Sequence, residues 1–137
     1  MQVSPFLGFD GDCREAMSWY AELFGSPAPT IMTYADAPPG GEMPGMDADK
    51  VMYADVRIGD ALLMGGDTPS ERHEPARGMM VMVDPPDAAE GRRIFDALAE
   101  GGEVTMPFEQ TFWSSGFGMV RDRFGTPWVV SSQPQEG

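Results

Sequence analysis

The chain is poor in the residues that most metal sites, nucleophilic sites and polyanion contacts need. It has one cysteine, Cys13, so no intramolecular disulfide can form and no cysteine-based zinc site can be built. Cys13 falls in the first turn of an expected helix and reads as a small packing residue. The one histidine, His73, sits in the charged stretch Thr68-Pro69-Ser70-Glu71-Arg72-His73-Glu74-Pro75 and reads as solvated. A transition-metal site would therefore have to come almost wholly from carboxylates. Ser114-Ser115 and Ser131-Ser132 lie in no Gly-x-Ser-x-Gly elbow, and no second histidine is available as a base. Only 9 basic residues face 22 acidic ones, a net charge of −13, which argues against nucleic acid and against an anionic membrane surface. No apolar run approaches the roughly 20 residues of a membrane span, and no charged segment with an apolar run behind it opens the chain. The expectation is a cytoplasmic protein.

What the chain does have is a pattern stated twice. Asp12-Cys13-Arg14-Glu15 opens an amphipathic stretch that closes at Gly25, and Asp87-Ala88-Ala89-Glu90 opens another that closes at Gly101-Gly102. An Asp with a Glu three residues later is the signature of a helix N-cap with a reciprocal carboxylate. Each helix follows an apolar run, 3–9 or 79–83, and precedes short strand-like runs. In the first half these are 29–34, 51–58 and 61–64; in the second they lie around 103–106, 112–121 and 127–131. Gly59 and Gly125 close the two corresponding hairpins. Ala16, Met17, Tyr20, Leu23 and Phe24 form one inward stripe, and Ile94, Phe95 and Leu98 the other.

At 137 residues this is one domain by size. The reading is an α+β fold of two βαβββ modules, forming a curved mixed sheet around a cleft with the helices on the outer face. Module one is 1–66, the linker 67–77 and module two 78–133, with a frayed tail at 133–137. The first copy is longer, and loop 35–50, rich in Pro and Gly, accounts for the excess. That loop reads either as an exposed connection or as a lid closing Met43 and Met46 over a pocket.

Strand alternation nominates the site. Tyr53, Asp55 and Arg57 share one face of their strand, and Met52, Ala54 and Val56 share the other, which should pack on a helix. In the second half Trp113, Ser115, Phe117, Met119 and Arg121 alternate with Phe112, Ser114, Gly116, Gly118 and Val120. Gly116-Phe117-Gly118 lies inside a strand and opens no helix, so it marks a bulge or a close backbone approach rather than a phosphate loop. Aromatic walls with few polar groups suit a small-molecule site. The same stripes at strand spacing also suit a core or a dimer interface, and both readings stand.

The two modules, the helix end Trp19-Tyr20-Ala21-Glu22-Leu23-Phe24-Gly25 and the run Asp122-Arg123-Phe124-Gly125-Thr126-Pro127-Trp128 resemble the vicinal oxygen chelate superfamily, the glyoxalase, bleomycin-resistance and extradiol-dioxygenase group. Pro5-Phe6-Leu7-Gly8-Phe9-Asp10-Gly11, Val51 to Asp60, and Phe112-Trp113 are similar to its PhnB-like branch, the 3-demethylubiquinone-9 3-methyltransferase-like proteins. Metal-using members place His and Glu ligands on four strands. The resemblance maps those positions near Pro5, Leu63, Gly78 and Val129, where neither these residues nor their neighbours are His, Asp or Glu. Many PhnB-like proteins also carry a His where Tyr53 stands. No Gly-rich nucleotide loop on a Rossmann-type unit supports methyl transfer.

The resemblance therefore implies the scaffold and a homodimer without the ligand set. The expectation is a protein that binds a small organic molecule, with no metal and no cofactor. Tyr53, Trp113, Phe117 and Trp128 are its walls, Asp55 and Arg121 its orienting groups, and Phe9 and Met119 complete the candidate set. Arg121 is the candidate for an anionic ligand group, unless it pairs with Asp122 instead. The alternatives are a metal-dependent lyase, isomerase or dioxygenase of the same fold, and a dimeric interaction or stress-response protein with a vestigial cleft.

Overall fold

The computed structural model describes residues 1–40, 43 and 45–134. The chain divides into two compact units, Met1–Glu74 and Pro75–Gly137. Unit one contains β1 (Phe6–Phe9), α1 (Cys13–Leu23), β2 (Thr30–Thr33), β3 (Val51–Ile58) and β4 (Ala61–Asp67). Unit two contains β5 (Val81–Val83), α2 (Ala88–Ala99), β6 (Glu103–Glu109), β7 (Gly116–Arg121) and β8 (Pro127–Ser132). The strand orders are β1-β4-β3-β2 and β5-β8-β7-β6, one topology used twice. In each sheet the first strand pairs parallel to the last, and the remaining pairs are antiparallel. This is an α+β fold of two βαβββ modules.

Both helices form where the apolar stripes place them. Cys13, Ala16, Met17, Tyr20, Ala21 and Leu23 are buried on α1, and Gly91, Ile94, Phe95 and Leu98 on α2. Each fully buried large side chain stabilises its unit by about 1.5–3 kcal/mol. Helix α1 packs on β3, where Ala54 and Val56 are buried as the alternation requires. Helix α2 packs on β7 and β8, over Val120, Trp128 and Val130. The Gly116-Phe117-Gly118 run is a close approach. A Cβ on Gly118 would stand 2.7 Å from the Phe95 ring, and one on Gly116 2.2 Å from Phe108. Gly59 and Gly125 take φ of 58° and 90°, the left-handed region their hairpins need.

Three expectations change. The helix caps are not the reciprocal boxes read from the sequence. Asp87 accepts the Glu90 N–H at 2.8 Å, but Glu90 turns to Arg93, and Asp12 makes no side-chain cap at all. The strand expected over 112–121 begins only at Gly116. Before it, Thr111 N–H donates to Ser114 O at 3.1 Å, and the Ser114 hydroxyl lies 2.6 Å from both Gly116 O and Ser132 O. Short hydroxyl side chains here compete with the ladder and close a tight loop. At the other end, β1 starts at Phe6 rather than at 3, after Pro5, which has no N–H to give.

The longer connection of unit one runs over 34–50, against 110–115 in unit two. Its base is closed by Tyr34 N–H to Lys50 O at 3.0 Å and Ala35 N–H to Ala48 O at 2.9 Å. Gly41, Glu42 and Pro44 of the expected loop, and Gln135–Gly137 of the expected frayed tail, lie outside the described residues. The expected linker starts at Asp67, a residue that β4 retains and buries.

Candidate functional site

Strand register defines the face of each sheet that its helix leaves open. In unit two, Met82 on β5 pairs with Val129 on β8, Val129 with Met119 on β7, and Met119 with Met106 on β6. These four positions form one row across the whole sheet. Met82 and Met106 are exposed at 63 % and 43 %, Met119 is half-buried and Val129 is buried, so the row is apolar throughout and open at its two ends. Phe117 and Arg121 flank Met119 on its strand, two residues to either side, and are half-buried. The equivalent row in unit one is Phe6, Met64, Asp55 and Thr30. Next to it the Tyr53 hydroxyl donates to Asp55 Oδ2 at 2.7 Å. That hydrogen bond raises the Tyr53 phenol above its ordinary value, with smaller contributions from burial and from the Asp55 charge.

The candidates therefore divide. Tyr53 and Asp55 come together on the open face of unit one. Phe117, Met119 and Arg121 come together on that of unit two. Trp113 belongs to the loop before β7 and reaches Phe117, ring centroids 5.4 Å apart and edge-on. Phe112, beside it at 4.7 Å, is almost fully exposed. Phe9 and Trp128 are placed differently: both point to the helix side and are buried, at 2 % and 0 % exposure. The reason is register. Phe9 is one residue out of phase with Gly8, and Trp128 pairs with Val120 on the α2 side. Trp128 spends its indole N–H on Asp122 Oδ2 at 2.9 Å.

Arg121 does not serve Asp122. Its Nη1 donates to Gly125 O at 2.7 Å and its Nη2 to Ala76 O at 3.0 Å. Asp122 instead accepts the N–H groups of Phe124 and Thr126 at 2.9 and 3.0 Å, besides the Trp128 indole. Two carbonyls thus hold the guanidinium in place without neutralising it.

Met80, Met82 and Met106 on the open face, and the exposed Phe112, stand outside the candidate set that the sequence nominates. A signal existed in Met80-Val81-Met82-Val83, where methionine and valine alternate with the strand period.

The positions that the resemblance maps onto metal ligands, Pro5, Leu63, Gly78 and Val129, carry no ligating side chain. Among the described residues no three of His, Cys, Asp and Glu gather. The His73 Nδ1 lies 3.4 Å from the Thr68 hydroxyl. Among the described residues no helix is long and apolar enough to cross a membrane.

Two modules of this topology define the scaffold of the vicinal oxygen chelate superfamily. The model of the 3-demethylubiquinone-9 3-methyltransferase family matches residues 1–131, and the chain belongs to that family, the PhnB-like branch of the superfamily. It is 29 % identical to Protein YjdN of Escherichia coli strain K12, over 99 % of this chain and 98 % of that one. The crystal structure of protein PA1353 from Pseudomonas aeruginosa is 37 % identical, with a TM-score of 0.88, covering 98 % of this chain and 99 % of that one. A PhnB protein from Bacillus cereus shares the fold at 24 % identity and a TM-score of 0.78, over 96 % of this chain and 99 % of that one. The family's name describes methyl transfer, yet neither sheet here is the parallel, doubly wound sheet of a Rossmann unit.

Proposed function

We propose that this chain is a cytoplasmic protein that binds a small organic molecule on the open sheet face of module two, with no metal in the site. The observation that carries the reading is the row Met82-Val129-Met119-Met106, flanked by Phe117 and Arg121. Met82 and Met106 at its ends are exposed, as are Met79 and Met80 beside β5, and soluble proteins seldom leave large apolar side chains grouped in the open unless something binds there. Thioethers and aromatic edges adapt to many apolar shapes, and one fixed cation orients the ligand. Trp113 and Phe117 are its aromatic walls, and Tyr53 with Asp55 offers a second polar-aromatic patch on module one. The family resemblance supports a homodimer as the working form.

Elemental analysis of untagged protein, paired with thermal shifts against Ni²⁺, Zn²⁺, Mn²⁺, Fe²⁺ and a panel of planar organic acids, tests this reading. The expected result is no stoichiometric metal and stabilisation by one class of organic compound. A ligand at 100 times its Kd stabilises by about 2.7 kcal/mol, which a thermal scan resolves. One tightly held metal per chain would overturn the metal-free site and favour an enzyme.

A further inference from the structure

Where β5 begins and β7 ends, unit two holds a depression of about 170 Å³. Its lining includes Met79, Met80, Thr105, Met119, Arg121 and Pro127. Size sets what the depression can seat. An engineered protein cavity of about 150 Å³ accepts benzene, so this space has room for one six-membered ring. Chemistry narrows it further. Three of the lining side chains are thioethers, which make favourable contacts with aromatic edges.

The one charged lining group is Arg121. A guanidinium has five N–H bonds, and two of them are taken by Ala76 O and Gly125 O, which leaves three. The two carbonyls fix the plane in advance, so a ligand need not order the side chain. A carboxylate can accept two of the remaining N–H groups side by side. Glu103 stands opposite Arg121 in the strand register, but among the described residues Arg121 forms no ion pair. Its charge is left for a ligand.

We infer that this depression is a subsite for an aromatic monocarboxylate, its carboxylate held by Arg121 and one ring seated against Met79, Met80 and Met119. The inference rests on the ligand-binding reading above and adds the class of ligand. The acidity of the chain does not oppose it, because long-range repulsion between exposed charges is screened within about 10 Å at ordinary salt, whereas the Arg121 contact is direct.

The test uses the full chain labelled with methyl-¹³C methionine, with the methyl signals assigned by single Met→Leu variants. Sodium benzoate should shift the methyls of Met79, Met80 and Met119. Benzamide, its neutral counterpart, should bind at least tenfold more weakly. Arg121→Gln should abolish the preference for benzoate over benzamide. Because Arg121 also holds two carbonyls, Met119→Trp provides an independent check: it fills the space, leaves the guanidinium, and should lose benzoate at least tenfold. The remaining methionine methyls report that each variant is folded. Equal binding of benzamide or an unaffected Met119→Trp would each overturn the subsite. If benzoate leaves the three methyls unmoved while other organic acids shift signals elsewhere on the face, the subsite fails and the broader reading stands. If nothing in the panel shifts any signal of the face, both fail.

Discussion

The Asp67 carboxylate accepts the backbone N–H of Cys13 at 3.0 Å. Its other oxygen accepts the Val51 N–H at 2.9 Å, and its backbone carbonyl accepts the Tyr34 hydroxyl at 3.1 Å. One buried residue at the end of β4 thus caps α1, fixes the start of β3 and anchors the turn that leads out of β2. It performs for α1 the task that the helix's own Asp12 leaves undone. The donors come from distant parts of the unit, so the contact exists only once the sheet has formed.

Removing that carboxylate should be costly, since a hydrogen bond to a charged group contributes about 1.5–3 kcal/mol and an unpaired buried N–H costs about 1–3. Asp67→Ala should destabilise by about 3 kcal/mol or more in urea unfolding at pH 7. Asp67→Asn keeps one acceptor but turns a donor towards an N–H, and should recover little of the loss. An unchanged midpoint for Asp67→Ala would remove this residue from the stabilising framework.

Cys13 lies against the same carboxylate, and its thiol is pushed up to about 12, first by burial and then by the charges of Asp67 and Asp12. The folded chain therefore holds the neutral thiol at a pH where an unfolded one, at about 8.5, ionises. The unfolded state then binds fewer protons, and stability falls as pH rises. The contribution is complete below about pH 8.5 and is lost towards pH 12, at up to about 1.4 kcal/mol per pH unit. Wild type should lose stability faster than Cys13→Ala between pH 9 and 11. A thiol reagent at pH 8 should label the native protein only as fast as it opens. Parallel stability profiles for the two proteins, or prompt labelling, would contradict this account.

Periodicity made the helices legible, because each carries an unbroken apolar stripe, and it made β3 legible through Ala54 and Val56. It misjudged the start of β7, since Trp113 and Ser115 continue the alternation of Phe117 while Thr111 and Ser114 bend the backbone by side-chain hydrogen bonds. Phe9 and Trp128, both in the candidate set, turn to the helix side, because the face each occupies depends on pairing with a strand remote in sequence. The Asp67 cap left no local signature at all, because its partners lie 54 and 16 positions away. The candidate face was half legible. Phe117, Met119 and Arg121 follow from alternation on one strand, but the row from Met82 to Met106 needs the register of four.

Gly91 offers a test of packing against propensity. It sits in the first turn of α2, where Ala would gain about 1 kcal/mol in a free helix. A Cβ there would meet Ser132 Oγ at 2.1 Å and the Phe108 ring at 2.8 Å. Overpacking costs about 1–3 kcal/mol, so Gly91→Ala should be destabilising on balance, by about 1 kcal/mol in urea. The Ser132 hydroxyl is itself buried with no hydrogen-bond partner among the described residues. Ser132→Ala should consequently be neutral or stabilising, and it should soften the Gly91→Ala defect in the double variant. Additive effects of the two substitutions would show that they do not share this space.

Trp113 separates binding from folding. It is 48 % exposed and touches Phe112 and Phe117 edge-on, so truncation removes little of the core. An aromatic contact contributes about 0.5–1.5 kcal/mol beyond the area it buries. Trp113→Ala should therefore weaken an aromatic ligand by roughly tenfold in isothermal titration while the protein stays folded. Sedimentation should give the same oligomeric state for wild type and variant. A variant that dissociates would assign Trp113 to a subunit interface. A variant that binds as tightly as wild type would leave Phe117, Met119 and Arg121 to form the site without a wall from the loop before β7.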